Sequence, residues 1–144
     1  MREFSVDFFT TALQPSEILT AIHLPPPAGR TEIYRRYLRT PAEHRPVANI
    51  ALTFAVLGDA CADVRLVIGA ATPSPQRMTR AEAFLTGRAL SCDVAVEASE
   101  LVAEDLSPIS DGRGEGEFRR SIVRAAARRA ISEAAGLDWK ESAA

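Results

Sequence analysis

The chain has 144 residues, 47% of them hydrophobic and 25% charged, which fits one ordinary soluble domain with a sizeable core. Its net charge of -2 disfavours bulk attraction to nucleic acid or acidic membranes. The opening MREFSVDFFTT has no continuous apolar run, and the longest apolar stretch, VANIALTFAVL, falls short of the roughly 20 residues a bilayer needs. These features lead us to expect a cytoplasmic protein without a secretory leader or membrane span.

The first half reads as strands. ILTAIHL (18–24) is rich in β-formers and is stopped by Pro25, Pro26 and Pro27; TEIYRRYLR (31–39) alternates and ends before Pro41. Residues 47–57 and 63–71 form the best predicted pair. Ala48, Ile50, Leu52, Phe54 and Val56 share one face of the first, and Val64, Leu66, Ile68 and Ala70 one face of the second. Gly58 and Asp59 supply turn chemistry between them, so a hairpin with a short irregular loop is expected.

The second half reads as helices. Pro73 and Pro75 make TPSPQRM a loop, after which Thr79 and Glu82 have the spacing of a capping box and Gly87 can close a short helix. Val94, Ala95, Ala98, Leu101 and Val102 recur at helical spacing over 92–104. A last helix runs from about 115 to Gly136, with a stripe of Phe118, Ile122, Val123, Ala126, Ala127, Ala130, Ile131 and Ala134. Strands followed by helices predict an α+β domain over 1–139, in which about three helices cover one face of a three- to four-stranded antiparallel sheet. Residues 140–144 read as a frayed tail.

Candidate sites are few. Gly112, Gly114 and Gly116 do not spell a dinucleotide fingerprint, and Glu115 and Glu117 would repel a phosphate. Those carboxylates suit the positive end of a helix, and Ser110 or Asp111 can accept hydrogen bonds there. Gly114 is expected to hold a backbone conformation closed to other residues. Arg120, Arg124 and Arg128 recur every four residues and read as a solvated helix face rather than a phosphate-tracking ridge. YRRYLR (34–39) is the segment best suited to touch a ligand or partner; it superficially suits single-stranded nucleic acid, but a strand with one aromatic and one basic face has the same spelling, and no nucleic-acid partner is expected. Glu43, His44 and Arg45 lie in a row where loop polarity explains them better than a general base. Cys61 and Cys92 stand in no ligand spacing and are expected to be free thiols, one in a hairpin loop and one at a helix start. His23 and His44 are equally isolated, and no metal site is expected.

Several motifs together carry a family resemblance. DFFTTALQPSEILTAIHLP, through Phe8, Phe9, Thr11, Leu13, Pro15, Glu17, Ile18, Leu19, Leu24 and Pro25, resembles the opening of the C-terminal domain in flavoprotein subunits of molybdenum hydroxylases. These belong to the carbon monoxide dehydrogenase and xanthine dehydrogenase group. Tyr34 and Tyr37, RLVIGAATPSPQR and AEAFLTG fit its middle. An Asp-x-Arg-Gly-x-x-Glu-aromatic-Arg-Arg run, here Asp111, Arg113, Gly114, Glu117, Phe118, Arg119 and Arg120, resembles its last signature. The likeness extends over about residues 5 to 137.

The resemblance implies a domain that supports an FAD site, in a subunit passing electrons from iron–sulfur clusters to FAD. Its implied partners are an FAD-binding domain, a molybdopterin subunit and an iron–sulfur subunit. In such proteins the glycine-rich segments that hold the FAD pyrophosphate lie in the preceding domain, so this chain alone is expected to bind no cofactor and to be inactive. Tyr37 and Arg39 are carried over as flavin-edge residues. Relatives often have a basic residue near that edge and an aspartate before the third strand; here the nearest basic residue is Arg39, and Pro46 takes the aspartate's place. An unpartnered docking patch would favour self-association. The alternatives are a partner-binding module that kept the fold without flavin and, third, a stand-alone enzyme. An FAD-binding domain or molybdopterin and iron–sulfur subunits encoded nearby would favour the first reading.

Overall fold

A computed structural model describes residues 4–24 and 29–138. The tail 140–144 and the three prolines after residue 24 lie outside the described residues. The chain opens with a small antiparallel pair, β1 (Ser5–Asp7) and β2 (Thr10–Thr11). A four-stranded antiparallel sheet follows in the order β3 (Thr31–Tyr37), β4 (Ala48–Leu57), β5 (Ala60–Gly69) and β6 (Gln76–Arg77). Three helices complete the fold: α1 (Thr79–Leu85), α2 (Cys92–Asp105) and α3 (Gly116–Ala134). α1 packs on β5, α3 on β3 and β4, and α2 on the other two helices. This is the expected α+β architecture.

The core forms because the period-2 pattern of the central hairpin meets the helices on one face. Ala48, Ile50, Leu52 and Phe54 of β4 and Val64, Leu66 and Ile68 of β5 are buried against Leu85, Ala98, Val102, Val123, Ala127 and Ile131. The hairpin is tighter than expected, pairing Leu57 with Ala60 around Gly58 and Asp59. Its register shifts between Thr53 and Ala55, and beyond the shift Val56 and Leu57 stand in solvent, so Val56 does not join the core face. Cys61 is therefore a buried strand residue rather than a loop residue. Its N–H donates to the Arg88 carbonyl, and its own carbonyl accepts from Gly87. Both cysteines are free.

Residues 18–24 form no strand. β-formers need a ladder partner, and among the described residues this segment has none. Ile18 is 81% exposed and Leu24 83%.

The helix starts differ from expectation in an instructive way. Met78 occupies the N-cap of α1, and no side chain caps the helix. Glu82 is instead buried, its carboxylate accepting from the Leu66 N–H at 2.9 Å and from Arg77 Nε at 2.9 Å. β6 covers only two residues of β5, and Glu82 satisfies an amide the ladder leaves open. Ser91 caps α2 from its side chain. α3 ends in a Schellman arrangement in which Gly136, at φ +69°, donates to Glu133 and Leu137 donates to Ser132.

Candidate functional site

β3 is an edge strand whose side chains alternate between the helix layer and the open face of the sheet. Ile33, Arg35 and Tyr37 pair with Leu52, Ile50 and Ala48 and share the helix side with them; Glu32, Tyr34 and Arg36 face outward. Outward neighbours on β4 and β5 are Asn49, Ala51, Thr53, Val67 and Gly69, which are small or short, and Arg65, which is paired with Asp63. At Gly69 any Cβ would collide with Asn49 Oδ1, because the asparagine side chain lies over the glycine. The outer face carries small residues beside β3 and arginines toward β5 and β6, with Tyr34 56% exposed at its edge.

Tyr37 packs against the core with its hydroxyl buried and without a hydrogen-bond partner. Burial pushes the phenol pKa upward, opposed by the positive charge of Arg129. Beside it, Glu133 of α3 joins Arg35 Nε at 3.1 Å and Arg129 Nε at 2.8 Å, tying the edge strand to the helix. Arg39, past the end of β3, is paired with Glu43 at 2.6 Å. That pairing accounts for Glu43, while the His44 carbonyl accepts from Arg36. Glu43 and the His44 carbonyl therefore strap the loop out of β3, in keeping with loop polarity rather than a general base.

The glycine-rich run closes on itself. Asp111 and Gly114 exchange backbone hydrogen bonds of 3.2 and 3.1 Å, Asp111 Oδ1 accepts from the Arg113 N–H at 2.8 Å, and Ser110 Oγ accepts from the Gly116 N–H at 2.9 Å. Gly114 has no positive φ, contrary to expectation. Its Cα instead faces the Phe118 ring, where an added Cβ would lie 2.8 Å from Cδ1.

Arg119 stands in the run that resembles the last family signature, but the predicted apolar stripe leaves it out. It is 1% exposed, and it replaces Phe118, 46% exposed, on the buried face of α3. The signal was available: positions 119, 123, 126, 127 and 130 are in phase on a helix, whereas 118 is not in phase with Val123. Arg119 NH1 donates to the carbonyls of Val47 at 2.7 Å and Ala70 at 3.0 Å, and NH2 meets Asp111 Oδ1 at 2.5 Å. One guanidinium therefore joins the start of β4, the chain just past β5 and the glycine-rich loop. Ala70 holds a left-handed backbone, φ +62°, at this junction. The Asp111 carboxyl lies below its ordinary pKa, chiefly through the Arg113 N–H bond and with help from Arg119.

The other arginines divide. Arg120 NH1 donates to the Ala103 and Leu106 carbonyls at the end of α2, and Arg124 meets Glu100 at 3.4 Å. Arg128 has a buried Nε without a partner. Arg120 is structural, which departs from a purely solvated face.

Could these residues hold a dinucleotide's phosphates? Pyrophosphate sites use free N–H groups at a helix start. Ser91 occupies the start of α2, with Asp93 in its first turn, and Ser110 that of α3, with Glu117 beside it. The residues present do not fit a pyrophosphate. A groove of about 560 Å³ runs between β1 and the loop before β6, past Asp7, Val67, Thr72 and Arg77, but Glu82 already neutralises Arg77. Among the described residues no cluster of three His, Cys, Asp or Glu side chains could hold a metal ion, and no helix is long and apolar enough to cross a membrane.

Residues 32–134 match the family model described as the CO dehydrogenase flavoprotein C-terminal domain. The nicotine 6-hydroxylase medium subunit of Paenarthrobacter nicotinovorans is 35% identical over 127 residues, which is 88% of this chain and 44% of that subunit. The carbon monoxide dehydrogenase medium chain of Afipia carboxidovorans is 29% identical over 134 residues, 92% of this chain and 46% of the relative. Among solved structures, quinoline 2-oxidoreductase from Pseudomonas putida superposes with a TM-score of 0.84 at 28% identity, covering 93% of this chain and 46% of that one. The Cu,Mo-CO dehydrogenase gives 0.83 at 29%, covering 94% and 47%. The chain spans less than half the length of the curated relatives it matches.

Proposed function

Because the chain belongs to the CO dehydrogenase flavoprotein C-terminal domain family, we propose that it works as the C-terminal part of a molybdenum-hydroxylase flavoprotein subunit. In that role it forms one wall of an FAD site that an FAD-binding domain completes, on the route from iron–sulfur clusters to the flavin. FAD would supply the electron-accepting chemistry; this chain supplies shape and position. The partners in this reading are the FAD-binding domain, a molybdopterin subunit and an iron–sulfur subunit.

The observation that carries the reading is the exposed apolar surface of residues 4–24. Phe9 is 84% exposed, Ile18 81%, Ile22 62% and Leu24 83%, on a segment that among the described residues has no strand pairing beyond the short β1–β2 pair. A row of that kind marks a surface made to be covered. The outer face of the sheet is the second surface available to such a partner. At the far end of β3, Tyr37 would act through its ring edge, because its hydroxyl faces the helices, and Arg39 would reach a flavin only by leaving Glu43.

The test is to titrate FAD into the chain alone and into the same chain joined to the FAD-binding portion of the nicotine 6-hydroxylase medium subunit, following flavin fluorescence. The expected result is binding weaker than about 1 μM for the chain alone and at least tenfold tighter for the joined protein. A yellow preparation of the chain alone, or no gain on joining, would overturn the reading.

A further inference from the structure

The geometry points to the free edge of β3 as a surface through which two copies of this chain pair about a two-fold axis at Tyr34. β3 has one hydrogen-bonded neighbour, β4, so its other edge is open among the described residues, with the Tyr34 carbonyl already accepting one hydrogen bond from Arg35 NH1 at 3.1 Å and keeping its second lone pair. An open edge of seven residues is a template for another strand. The identity of that strand follows from the order of charges.

If β3 lies antiparallel to its own copy with Tyr34 opposite Tyr34, residue 32 of one copy faces residue 36 of the other. Glu32 then meets Arg36 twice, on the outer face, on either side of two exposed tyrosine rings. Directly opposed positions bring Cβ atoms to about 5 Å, where opposite charges and aromatic pairs both stabilise. Glu32 has no ion-pair partner within its own chain among the described residues, whereas Arg36 uses one nitrogen on the His44 carbonyl and keeps others free. On the helix side the same register sets Ile33 opposite Arg35. Arg35 is a charge of the kind that guards sheet edges, and within the chain it shares the Glu133 carboxylate with Arg129. Moving the axis one residue to Arg35 would oppose two guanidiniums, and moving it to Ile33 would separate Glu32 from Arg36. Only the Tyr34 register is self-complementary, which is what a two-fold interface requires.

This interface shares β3 and part of the outer face with the surface that the flavoprotein reading gives to an FAD-binding domain, so it belongs to the chain without that domain; sedimentation tests it separately from the flavin titration. The experiment is sedimentation equilibrium of the purified chain over about 1–200 μM, with circular dichroism to check folding. The expected result is a monomer–dimer equilibrium. Glu32→Arg and Arg36→Glu should each weaken it about tenfold or more by opposing like charges, and the double variant should return to within about threefold of wild type because the pairs are restored with reversed polarity. Tyr34→Lys, placing two ammonium groups at the axis, should also weaken it. A monomer throughout, association indifferent to the single reversals, or a folded double variant that fails to recover would each overturn the proposal.

Discussion

Arg119 and Asp111 meet at 2.5 Å across the start of α3, with the arginine 1% exposed and the aspartate side chain 29%. A charge this deep in a core costs several kcal/mol unless its donors are satisfied. Here the carbonyls of Val47 and Ala70 complete the shell. The pair converts a glycine-rich loop that could be taken for a phosphate cradle into a clamp on the end of the sheet.

Arg119→Met should therefore destabilise the fold by about 3 kcal/mol, since it strips two carbonyls and a carboxylate of their donor at once. Urea unfolding measures it. A loss below about 1 kcal/mol would mean that the clamp is redundant.

Stability should fall with acid through two carboxylates. Hydrogen bonds hold both Asp111 and Glu133 below the ordinary carboxylate range, from Arg113 first for Asp111 and from Arg129 first for Glu133. A group whose folded pKa is depressed contributes stability that is complete above its unfolded pKa and lost as pH falls through the folded value. The loss should thus begin near pH 4 and deepen below it. Urea midpoints from neutral pH downward should fall less steeply for Asp111→Asn with Glu133→Gln than for the wild type; parallel curves would refute the assignment.

Gly114→Ala and Gly136→Ala should separate two uses of glycine. At Gly114 the obstacle is the Phe118 ring, half-exposed and free to swing, so the cost should stay below about 1 kcal/mol. At Gly136 the left-handed φ of +69° is itself the obstacle, and alanine should cost about 1 kcal/mol or more. Melting temperatures in the reverse order would refute this.

Ala70→Gly should stabilise. Alanine at φ +62° carries about 1–2 kcal/mol of strain, more than the entropy glycine gains in the unfolded chain. An increase of about 0.5 kcal/mol in unfolding free energy is expected. A decrease would show that the alanine methyl packs better than its backbone suffers.

By itself the sequence determined the α+β order of elements, the central hairpin and the helices at 92–104 and 115–136, because hydrophobic period is a local property. Ile50, Leu52, Val64 and Leu66 are legible at period two, and Val123, Ala127 and Ala130 at period 3.6. It also carried the family, through motifs whose order survives translation into letters. Three things waited for the tertiary structure. Residues 18–24 have strand spelling without a ladder, since pairing depends on a neighbour the local pattern does not name. Glu82 turns its carboxylate away from the helix start to satisfy Leu66, because β6 is too short to do so. Arg119 enters the core because four oxygens converge on it, from Val47, Ala70, Asp111 and Gly114, and the net free energy of a buried charge depends on partners that only the folded chain assembles.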